Sequence, residues 1–80
     1  MEINHLQFIL EQVSPRIAAM QPGEVTGREG LFDPKLWDAV PPRERRHVLG
    51  RPISILIVQG KVQLVFIGFD RKHHNHDRKK

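Results

Sequence analysis

Pro52-Ile53-Ser54-Ile55-Leu56-Ile57-Val58, closed by Gln59-Gly60-Lys61 and followed by a second apolar run from Val62 to Phe69, is the stretch on which the fold turns. Its β-branched content and the glycine between the runs match a β-hairpin over 53–69 packed on helices. The same residues also match a helix over 52–59, because Pro52 suits a first helical turn and Gly60 a C-terminal cap. That helix would be apolar nearly all round and would need burial on several sides. Val62 to Phe69 reads as strand in either case.

Upstream, Leu6, Ile9, Leu10, Val13, Ile17 and Met20 recur at three- and four-residue spacing and predict an amphipathic helix over roughly 4–20. Asn4 is placed to cap it, and Ser14-Pro15 predicts a kink or two nearly coaxial pieces, since proline removes an interior hydrogen bond. Residues 21–30, with Pro22, Gly23, Gly27 and Gly30, have no periodicity and read as loop. Asp33-Pro34 is an N-cap followed by a first-turn proline, and Leu36, Trp37 and Val40 give a short apolar face. Pro41-Pro42 ends that helix, and Pro42 opens another over Arg43 to Leu49. Beyond Phe69 the chain turns polar, so the organisation expected is one domain over 1–70 and a basic, His-rich tail over 71–80.

Eighty residues support a single core, and with Cys 0 there is neither a disulfide framework nor a thiolate metal site, which suits a reducing, cytoplasmic setting. The apolar runs are far below the roughly 20 residues that span a bilayer, and Glu2 stands where a secretory leader carries basic residues, so neither a membrane nor secretion is expected. The net charge of +4 is divided unevenly: residues 1–40 hold three basic and six acidic side chains, residues 41–80 ten and three. A half-chain of that sign suits a polyanionic partner, because clustered Lys and Arg release counterions from phosphates.

No catalytic constellation emerges. Ser14 and Ser54 lie beside a proline and inside an apolar run, and His5 and His47 fall on expected helices as surface histidines. Gly23, Gly27 and Gly30 do not form a phosphate loop. His73, His74 and His76 with Asp70 and Asp77 have metal-ligand chemistry, but Arg71, Lys72, Arg78, Lys79 and Lys80 beside them repel a cation, so neither metal nor cofactor is assigned. Trp37, with Phe32 and Leu36, reads as a core anchor. Phe66 and Phe69 read the same way, with base stacking on a strand as the alternative, although that strand lacks interleaved basic residues.

The basic residues that fit a phosphate-facing surface are Arg43, Arg45, Arg46 and Arg51 near a helix boundary, Lys61, and Arg71 and Lys72 after the last strand. Taken in order, Val48-Leu49-Gly50-Arg51, Leu56-Ile57-Val58-Gln59-Gly60, Val65-Phe66-Ile67-Gly68 and Asn75-His76 resemble a family of short phage and prophage proteins that look like minimal winged-helix domains. The resemblance spans about residues 31–76. It implies that Arg43 to Leu49 and Pro52 to Gln59 form a helix-turn-helix with its turn at Gly50-Arg51, and that Val62 to Phe69 belongs to the wing. The expectation is therefore an α+β domain with an N-terminal helix, a helix-turn-helix-like pair and a C-terminal β-element. It would act as a non-enzymatic DNA-binding or regulatory protein, possible as a homodimer. The alternative is a protein-binding module or an inhibitor of a host protein.

Overall fold

The computed structural model describes residues 3–72 and 74–80, with side chains from His5 onward. Helix α1 spans Ile3–Ala19, strand β1 Val25–Gly27, a 3-10 turn Arg28–Leu31 and helix α2 Pro34–Ala39. Helix α3 (Pro42–Arg45), a π-helical turn (Arg46–Gly50) and helix α4 (Arg51–Val58) then follow without a break, before strands β2 (Leu64–Phe69) and β3 (Asn75–Lys79). The chain is α+β, with helices packed on an antiparallel sheet of order β1-β3-β2.

Helix spacing wins over strand composition at the decisive stretch because the core selects it. Leu49, Ile53 and Leu56 share one helical side and are buried against Ile9, Val13 and Ile17 of α1, with Leu31, Phe32, Val62 and Leu64 completing the cluster. A strand would have turned Ile53, Ile55 and Ile57 to one side, whereas Ile55 and Ile57 are only half-buried. Val58 is left 87% exposed, so the helix is not enclosed on all sides. The hairpin alternative over 53–69 is thereby overturned. Gly60, at φ +70°, ends α4 in a Schellman arrangement: its N–H donates to Ile57 O and that of Lys61 to Leu56 O, both at 3.0 Å.

The turn expected at Gly50-Arg51 is also absent, since both residues have right-handed helical backbone and the Arg51 N–H donates to Arg46 O. What the sequence presents as a boundary is a widened turn inside a continuous helical segment. Pro52 supplies the reason, because its ring collides with the carbonyl four residues earlier in α geometry, and an expanded turn before it opens that space. The carbonyl concerned is that of Val48, and it accepts a hydrogen bond from His5 Nε2 of α1 at 2.9 Å. At Pro15, by contrast, α1 continues through the proline. The Ser14 hydroxyl, one residue before the proline, donates to Leu10 O, the back-bond a serine makes to the preceding turn of its own helix. The expected Asn4 cap lies outside the described side chains, and the helix already includes Ile3.

Two further expectations are corrected. Residues 21–30 contain β1 and most of the 3-10 turn, rather than unbroken loop. Residues 71–80 are not a loose tail, because β3 is the central strand: it pairs with β1 through Thr26↔Asp77 and with β2 through Leu64↔Lys79 and Phe66↔Asp77. Lys79 also donates its Nζ to Ile17 O in the last turn of α1 at 2.7 Å, which suits the negative end of that helix. The strand was hidden because Asn75-His76-Asp77-Arg78-Lys79 has no apolar alternation; its inward group is a carboxylate.

Candidate nucleic-acid interface

Cations in this chain divide into those the fold consumes and those it leaves in solvent. Arg28 and Asp77 form the buried pair, with Nε to Oδ2 at 2.8 Å and Nη2 to Oδ1 at 3.2 Å. The Arg28 Nη1 reaches on to Gly50 O at 2.7 Å and Ser54 Oγ at 2.8 Å. One guanidinium thus ties the 3-10 turn, the central strand and the π-to-α junction together, and its planar fork suits the bidentate contact. Neither stood out in the sequence as half of a buried ion pair, since Arg28 lay in an expected loop and Asp77 in an expected tail, where it was weighed only as a metal ligand. A carboxylate of low exposure needs a cation, but the cation is 49 residues away.

Arg45 is likewise held by the fold rather than offered to a ligand. Its Nε donates to Trp37 O and Val40 O, both at 2.9 Å, closing the end of α2, and its guanidinium lies 5.5 Å from the Trp37 ring centroid. Trp37 itself packs on the core beside Phe32, as expected of an anchor.

The other six candidates, Arg43, Arg46, Arg51, Lys61, Arg71 and Lys72, are all exposed. Among the described residues no ion pair engages their side chains. Arg43 and Arg46 are three residues apart and share a helical side. In a regular α-helix Arg51 would be rotated about 140° from Arg46. The π turn, by closing Arg46 O onto Arg51 N–H, draws the two toward the same side. Lys61 follows the C-terminal end of α4, and Arg71 and Lys72 occupy the turn between β2 and β3. No hydrogen bond or ion pair links these two groups to the helical arginines among the described residues.

That turn is organised by Asp70. Its Oδ1 accepts the Lys72 and His74 N–H groups at 2.8 and 2.9 Å, and its Oδ2 lies 3.2 Å from His76 Nε2 and 3.6 Å from His74 Nδ1. The His74 backbone bond, reinforced by His76, Lys72 and the charge on His74, lowers the Asp70 carboxyl to about 2 despite an opposing desolvation effect. His74 and His76 are thereby engaged with a single carboxylate, while His73, the other histidine of that cluster, lies outside the described residues. Among the described residues no three His, Asp or Glu side chains converge as a metal-binding group. No described helix is long and apolar enough to cross a membrane.

Comparison with protein-family models, curated protein sequences and solved structures finds no match for this chain.

Proposed function

We propose that the protein is a non-enzymatic nucleic-acid-binding protein, contacting phosphates through Arg43, Arg46, Arg51, Lys61, Arg71 and Lys72. The observation that carries this reading is the division of cations described above. Arg28 and Arg45 are held by the fold, whereas these six stand in solvent with no ion pair to a carboxylate among the described residues. Unpaired, exposed cations on a chain of net charge +4 attract a polyanion and gain from counterion release. Arg45 is withdrawn from the interface because its loss would unseat Trp37 and the end of α2.

Fluorescence anisotropy of labelled DNA across a salt series tests the proposal. Affinity is expected to fall steeply with ionic strength, and Arg43→Ala with Arg46→Ala and Arg51→Ala is expected to reduce the log–log slope by up to about 3. A flat salt response in the unsubstituted protein counts against it.

A protein partner is the second reading, favoured by the exposure of Val58 and Ile67 and by the position of β2 at the edge of the sheet. Such a partner, a second copy of the chain included, would stay bound at salt concentrations that release nucleic acid.

A further inference from the structure

We infer that Phe66 and Phe69 form a stacking site for unpaired nucleobases, so that the preferred ligand is a single-stranded nucleic acid. The inference rests on the nucleic-acid reading above and narrows it. Both rings are solvent-accessible, 41% and 58% exposed, and their centroids are 5.2 Å apart at an interplanar angle of 71°. In a regular strand residues three apart point to opposite faces. Here the register shifts between Phe66, opposite Asp77, and Gly68, opposite His76, so that Phe69 falls opposite Asn75 and returns to the face of Phe66. Gly68 makes the shift feasible at φ +132°, a conformation that side chains other than hydrogen rarely adopt. The bulge at Gly68 therefore keeps two aromatic rings together at an exposed position where neither completes the core.

The two rings meet edge to face, and both residues keep solvent-exposed surface on which a base can stack. The charges nearby favour a phosphate chain over an apolar partner. Asp77, cross-strand from Phe66, is neutralised by Arg28, and the Asp70 oxygens are taken by the Lys72 and His74 N–H groups and by His76. Arg71 and Lys72, two and three residues beyond Phe69, are exposed and carry no ion pair among the described residues. The cations absent from the strand itself are thus supplied by the turn that follows it. In a duplex the base faces are already stacked, whereas in a single strand they are available to aromatic rings of either sequence context.

The test is anisotropy with a labelled oligothymidylate of about 20 nucleotides, a length that spans one small binding site, against a duplex of equal length. The unsubstituted protein is expected to prefer the single strand. Phe66→Leu with Phe69→Leu, which keeps apolar bulk and removes the π-faces, is expected to lower oligothymidylate affinity about tenfold or more while leaving the salt slope and duplex affinity unchanged. Phe66→Tyr with Phe69→Tyr is expected to retain binding. Circular dichroism melting verifies that each variant is folded. Unchanged oligothymidylate affinity in the leucine variant, or a loss of self-association with no loss of affinity, overturns the stacking site but not the phosphate interface. Absence of salt-sensitive binding to either probe overturns both.

Discussion

At the scale of single residues, the fold depends on polar groups that answer one another across long separations. Asp77 is fully buried and Arg28 nearly so. Asp77→Asn leaves a buried guanidinium without its counter-charge, which is expected to destabilise the protein by about 3–5 kcal/mol. Urea unfolding followed by the fluorescence of Trp37 measures this, and Arg28→Met with Asp77→Leu is expected to recover much of the loss. His5→Ala removes the donor to Val48 O at the π turn, and an unanswered half-buried carbonyl there is expected to cost about 1–3 kcal/mol by the same measurement. Asp70 predicts a pH dependence whose sign follows from its lowered carboxyl. Since the folded value of about 2 lies below the unfolded 3.8, the turn's stabilisation is present above pH 3.8 and is lost as pH falls through 2. Carbon-13 titration of the Asp70 carboxyl is expected to show a midpoint near 2; a midpoint near 3.8 would mean that the turn is not capped as described.

At the scale of elements, legibility tracked the range of the interactions. The amphipathic stripe of α1, the Asp33 cap with its 2.8 Å bond from Lys35 N, Pro34 in the first turn of α2 and Gly60 beyond α4 were readable because each signal lies within one or two turns of chain. β1 and β3 were not readable. Three residues of β1 carry no period, and β3 is a polar segment whose place in the sheet depends on partners on both flanks. Deleting residues 75–80 therefore tests the corrected boundary: it removes the central strand together with Asp77 and Lys79, and is expected to abolish the cooperative thermal transition. A frayed tail would come off without effect.

At the scale of the whole molecule, the candidate interface was readable in kind and not in detail. Net charge and its concentration in residues 41–80 follow from composition, and six of the seven chosen cations are exposed. Arg45 was indistinguishable from Arg43 and Arg46 until Trp37 and Val40 stood beside it. The same holds for Phe66 and Phe69, whose reading as core anchors gives way to exposure, since neither joins the cluster in which Leu64 is buried. The choice between helix and strand at 53–58 is likewise global, since either periodicity fits the residues and only α1 rewards one of them.

Taken by itself, the amino-acid order determined what local chemistry can encode: an N-terminal amphipathic helix, the Asp33 cap of α2 and the Gly60 stop of α4, the α+β character and the basic second half. Tertiary structure alone decided that a polar C-terminal segment lies at the centre of the sheet and which arginines remain in solvent. The physical reason is that burying a charge is unfavourable until its partner arrives. Asp77 can therefore occupy the interior only when the fold brings Arg28 to it, and no window of sequence contains both.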